Sequence, residues 1–181
     1  MRNAKISLLV ATVLAFAWPA FAQQKGHGPD HQKPPYAEMV ARPIKALSSD
    51  QIADLKAGRG MSLSLPAELN GYPGPKHVSE LSDQLGLSAQ QRQTTAILIE
   101  AMSKEAIASG AELIALETKL ETLFADRTAS KARVRVVIDR IGAVQANLRY
   151  VHLKSHLAMH AAMTPEQTRR YAVLRGYGPA K

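Results

Sequence analysis

The sequence predicts an all-α protein: a long antiparallel helical hairpin flanked by short helices, preceded by a signal peptide and a disordered leader. Three observations carry this expectation. Residues 88–162 contain no Gly-Pro cluster, and their one interruption is the polar joint Asp126-Arg127-Thr128. On each side of that joint apolar residues recur every three or four positions: Leu98, Met102, Leu113, Leu116, Leu120, Leu123 and Phe124 before it, and Val134, Val137, Ile141, Val144, Leu148 and Val151 after it. That period places one apolar stripe on each arm. Finally, the arms differ in charge. Ala89 to Asp126 holds six acids and three bases, whereas Arg127 to Lys181 holds eleven bases and two acids, so the arms attract.

In chain order, Arg2 and Lys5 precede an apolar run from Ile6 to Ala17 and an Ala20-Phe21-Ala22 cleavage site. These are the parts of a secretory signal peptide. Residues 1–22 are expected to be removed after Ala22, and the periplasm is the expected destination. The chain has no cysteine, which excludes a disulfide framework and a lipoprotein anchor. Residues 23–46 begin with QQKGHGPDHQKPP and read as a disordered leader.

Residues 47–74 read as a short helix capped by Ser48 and an ordered loop rich in Pro and Gly, with Leu63, Leu65 and Leu69 as anchors. The helical domain spans 75–177, with helices expected at about 75–85, 89–125, 129–162 and 165–175. Pro75 and Pro165 suit first helical positions, Gly86 and Gly176 suit stops, and Thr128 is the expected cap of the second arm.

Three helix starts share one wording: Leu47-Ser48-Ser49-Asp50-Gln51, Leu87-Ser88-Ala89-Gln90-Gln91 and Met163-Thr164-Pro165-Glu166-Gln167. Each is a capping box preceded by an apolar residue, which satisfies unpaired helix N–H groups. Local capping explains each copy alone, but not why the second and third stand at the two ends of one exported hairpin. That pairing resembles the LTxxQ-motif family of periplasmic stress proteins, the Spy and CpxP type of chaperone with ZraP and CnrX type metal-binding relatives. The resemblance covers about Pro75 to Tyr177 and places the motif on Leu87, Ser88, Gln91, Met163, Thr164 and Gln167, with Met163 where the motif has leucine. It implies a homodimeric helical cradle that holds unfolded periplasmic proteins without ATP, or that engages a sensor-kinase periplasmic domain. The 60–75 loop has no counterpart placed on those chaperones.

His152, His156 and His160 stand four apart on the second arm, beside Met159 and Met163. A four-residue step advances about 40° around a helix, so neighbouring rings reach toward one ion while the series drifts off the core. With His77 or Glu80 from the preceding short helix they form a candidate site for zinc, copper or nickel. The competing reading makes them solvated or client-facing histidines, with no cofactor required. A second apolar strip, Ile107, Ala111 and Ile114, lies roughly opposite the first arm's stripe and reads as a client or dimer surface. The chain carries no G-x-S-x-G elbow, phosphate loop or H-E-x-x-H, so no enzyme is expected. The charge of +8 is directed to acidic clients or anionic surfaces, since no aromatic-interleaved basic motif points to nucleic acid.

Overall fold

The computed structural model describes Pro34 and residues 36–178, and among these it is all-helical. The signal peptide and the start of the leader lie outside the described residues. The chain divides into two units, Met1–Ala37 and Glu38–Lys181. Among the described residues, the second contains six α-helices: α1 Ser49–Lys56, α2 Leu65–Glu68, α3 Pro75–Glu80, α4 Ala89–Ala125, α5 Lys131–Ala162 and α6 Pro165–Leu174. The hairpin of α4 and α5 is the long helical pair expected from the two apolar stripes.

Capping chemistry sets these boundaries. Ser48, Ser88 and Thr164 each accept the backbone N–H of the glutamine three residues on, and each glutamine side chain bonds back to the cap. The turn between the arms departs from expectation. Ser130, not Thr128, caps α5, accepting from Arg133 N–H. Thr128 N–H is instead used to close α4 by donating to Leu123 O, with Arg127 in the left-handed region at φ 54°. The helix expected over 75–85 is α-helical only to Glu80, and turns carry it to Gly86.

The arms meet along Leu113, Val137, Val144, Leu148 and Val151, all buried. Two ion pairs cross between them, Arg140–Glu112 at 2.6 Å and Lys154–Glu105 at 2.7 Å. Both are exposed, so each contributes about 0.2–1 kcal/mol, against about 1.5–3 kcal/mol for each large apolar side chain buried. Charge biases the pairing; the apolar seam holds it. One stripe assignment changes: Phe124 is 59% exposed at the hairpin end. Glu117 is buried in α4, and that burial raises its pKa.

The second strip of α4 is not bare. Helix α1 crosses it so closely that a Cβ on Gly110 would stand 2.3 Å from Leu55 O. Gly58 sits on Ile107, Ile114 packs against the main core, and Ala111 stays exposed. The leader is also ordered near its end: Ile44 is buried, and Lys45 gives both its backbone N–H and its ammonium to Glu121.

A glycine inside a 37-residue helix costs about 1 kcal/mol relative to alanine, so Gly110 is there to admit the α1 backbone. Gly110→Ala is expected to lower stability by about 1–3 kcal/mol despite the better helix former. Gly142→Ala, where an added Cβ meets nothing, is expected to gain about 0.5–1 kcal/mol. Paired denaturation curves check both, and two gains of equal size would remove the α1 contact.

Candidate functional site

Two polar clusters stand out at the end of the hairpin away from its turn. One joins the second and third capping boxes. Gln91 Nε2 donates to Gln167 Oε1 at 2.8 Å and to Ala162 O at 3.0 Å, the latter a carbonyl in the last turn of α5. Gln167 Nε2 returns a bond to Gln91 Oε1 at 3.1 Å and reaches Leu85 O at 3.4 Å. Each amide thus completes its own capping box and ties it to the other. Leu87 and Met163, the apolar residues before these caps, are buried together with Val78 and Met159. The first box has no such partner, since Gln51 makes only its local bonds. Motif positions were readable from sequence, but their side-chain pairing was not.

The other cluster centres on Glu68, which sequence reasoning missed. It sits at the end of α2 and is 6% exposed. Its Oε1 accepts from Tyr171 Oη and from Tyr177 Oη at 3.1 Å and faces His77 Nδ1 at 3.2 Å. Its Oε2 accepts Gly74 N–H at 3.1 Å and lies 3.6 Å from His156 Nδ1. Burial pushes this carboxyl's pKa up. The Tyr171 bond, the charge of His77 and the bonds from Tyr177 and Gly74 outweigh it, and the net direction is down. Burial, and then Glu68, raise the Tyr171 phenol well above its usual range.

The histidine series divides between two openings. His152 and His156 line a cavity of about 620 Å³ with Glu68, His77, Met102 and Tyr177. His160 instead lines a neighbouring cavity of about 540 Å³, its ring centroid 4.6 Å from that of Tyr72. His156 Nδ1 faces Tyr72 O at 2.8 Å; a carbonyl only accepts, so Nδ1 carries the proton. His152 is buried with Nε2 unpartnered, and burial, followed by neighbouring His156, lowers its pKa. His160 Nδ1 is likewise buried without a partner.

The remaining candidates separate from this cavity. Met159 is fully buried in the apolar core, where its sulfur lies 3.5 Å from Thr95 Oγ1, a hydroxyl that also bonds Gln91 O at 2.7 Å. Glu80 is exposed and lines neither cavity. His77 does reach the cluster, through Glu68. Among the described residues no group of three or more His, Asp or Glu side chains is placed to hold a metal ion. Glu68 stands near two histidines, but its oxygens are engaged by Tyr171, Tyr177 and Gly74.

Two expectations follow. Gln91→Ala and Gln167→Ala should each cost about 1–2 kcal/mol, with a coupling of about 0.5–3 kcal/mol in a double-mutant cycle, whereas Gln51→Ala costs about 1 kcal/mol or less. Zero coupling would mean the boxes act separately. Stability should also fall on acidification. His152 and Glu68 both have lowered pKa values in the fold, so the unfolded chain takes up protons first; the stability each contributes is present above its ordinary value and lost as pH drops through the folded one. Loss begins below about pH 6.5 through His152 and continues below 4.5 through Glu68. Urea midpoints between pH 8 and pH 4 should show this, and His152→Gln should flatten the upper step.

Comparison of the chain with protein-family models, curated proteins and solved structures gave no match.

Proposed function

We propose that this protein is an ATP-independent holder of unfolded clients in the periplasm, a homodimeric stress protein of the Spy and CpxP type, with a sensor-kinase periplasmic domain as a further partner. The observation that supports this reading most directly is an apolar stripe on the outer face of α5. Ala146, Tyr150, Leu153 and Leu157 share that face, Tyr150 being 59% and Leu157 55% exposed. Leu153 is half-buried between them, and exposed apolar surface of this kind marks an interaction site. Arg149 and Lys154 border it, and Lys154 also lies 5.9 Å from the Tyr150 ring centroid. Cations speed the capture of acidic unfolded segments, and the apolar stripe holds them. This stripe is better placed for a client than Ile107, Ala111 and Ile114, which share their face with α1.

A second reading, a periplasmic zinc, copper or nickel sensor or buffer, is favoured by one observation: His152 and His156 open on a single cavity beside the Met102 thioether. Imidazole and thioether suit those ions. Further ligands would have to come from a rearranged Glu68 or from water.

Aggregation of an unfolded client provides the test. Tyr150→Ser with Leu157→Ser should raise several-fold the protein concentration needed for suppression and leave the melting temperature within about 2 °C, since exposed substitutions cost little. Ile107→Asp with Ile114→Asp should instead lower stability by about 1–3 kcal/mol, because Ile114 packs on the core. If the α5 double variant suppresses aggregation as well as wild type, the client reading fails. Titration of wild type and His156→Ala with each ion reads out the metal alternative.

A further inference from the structure

We propose that the turn of the hairpin is a peripheral docking site for anionic lipid surfaces. Its residues are not required for the proposed client stripe, and capping by Ser130 and Thr128 does not explain its exposed apolar side chains or its unpaired cations. From Phe124 to Arg133 every side chain is exposed. Phe124, Val134 and Ile138 line a shallow groove of about 440 Å³ together with Ala129, Lys131 and Arg135. Phe124 is 59%, Val136 68% and Ile138 42% exposed, so apolar surface is concentrated where the chain reverses.

The charge around the groove is one-sided. Residues 124–136 hold four bases, Arg127, Lys131, Arg133 and Arg135, and one acid, Asp126. Nearby acids are already matched: Asp139 pairs with Arg135 at 2.9 Å, and Glu121 pairs with Lys45 at 3.0 Å. Among the described residues Arg127, Lys131 and Arg133 make no ion pair. Lys131 and Arg133 also stand in the first turn of α5, which holds no acid, and there the helix dipole disfavours cations. Of the three, only Arg133 has a local side-chain bond, donating from Nη1 to Thr128 O at 3.3 Å; local pairing does not account for Arg127 and Lys131, and an external anion does.

Geometry selects a lipid surface over an acidic protein. A stable protein interface uses about 20–30 residues on each side, whereas this groove is lined by seven. A bilayer surface needs less: long-stemmed cations among the headgroups, each worth about fivefold in affinity near an anionic surface, and one or two apolar side chains at the acyl boundary. Phe124 and Ile138, in one groove with Lys131 and beside Arg127 and Arg133 in sequence, provide this combination at the turn of a hairpin whose α4 arm is about 55 Å long.

Flotation with phosphatidylglycerol–phosphatidylcholine vesicles, beside pure phosphatidylcholine vesicles, tests the proposal. The full chain is produced with its amino-terminal segment intact, so that the cell processes it as in the native protein. Wild type should bind the anionic vesicles. The triple variant Arg127→Gln, Lys131→Gln, Arg133→Gln should bind at least tenfold more weakly, and Phe124→Ser with Ile138→Ser several-fold more weakly at unchanged charge. A triple variant at the other end, Lys76→Gln, Arg169→Gln, Arg170→Gln, removes the same charge and should lose much less. All these side chains are exposed, so circular dichroism should match wild type, and a misfolded Phe124 variant would leave the charge comparison standing. Equal losses in the two triple variants would assign binding to net charge and overturn the proposal, as would equal binding to both vesicle types. Failure to bind vesicles, with capture of polyglutamate that the tip triple abolishes, would overturn it in favour of an acidic polypeptide.

Discussion

Two long helices with a repeating aliphatic seam can slide past one another by a turn and still bury much the same surface, so something directional has to fix their register. Here Gln91 does so, bonded to Ala162 O at the end of α5 as well as to Gln167 in α6, assisted mid-hairpin by Asn147 Nδ2 donating to Ser109 Oγ at 3.1 Å. A misplaced polar pair inside a helical interface leaves donors and acceptors unsatisfied, and this penalises every other register. The apolar seam supplies most of the stabilisation, and these amides choose where it is spent.

The Glu68 cluster depends on that choice. It draws one or more groups from each of four elements: Glu68 from α2, His77 from α3, His156 from α5 and Tyr171 from α6. Helix α6 follows the third capping box, so the Gln91–Gln167 link also sets where Tyr171 and Arg175 stand. The loop is then drawn onto α5 by Glu68 from one side and by Tyr72 O, bonded to His156, from the other. Gly74 completes the approach, since a Cβ there would come within 2.9 Å of the His156 ring. The cavity beside His152 is what remains between a loop fastened at these points and the hairpin beneath it.

Much of the hairpin was legible in the sequence because its determinants are local. Period, caps and glycine stops act within a few residues, and α4 runs from Ala89 to Ala125 as the capping box and the polar joint imply. The choice of Ser130 over Thr128 was not legible, because both are competent caps and the Thr128 N–H was needed to close α4. Glu68 was hidden for a different reason. Nothing in a Pro-Ala-Glu-Leu sequence distinguishes a surface carboxylate from a buried one; its burial is imposed by tyrosines a hundred residues away. That α1 would cross the α4 strip was not legible, because a short amphipathic helix upstream gives no sign of where it will lie, although Gly110 in mid-helix was the available hint.

Met159 lies without exposure in the same core that the paired boxes close, its sulfur facing the Thr95 hydroxyl. A thioether in that position is out of reach of peroxide while the hairpin is shut, and an added sulfoxide oxygen would have to share the space with Thr95. Oxidation at Met159 therefore records excursions in which this end of the molecule has come apart, and once formed the sulfoxide opposes reclosure.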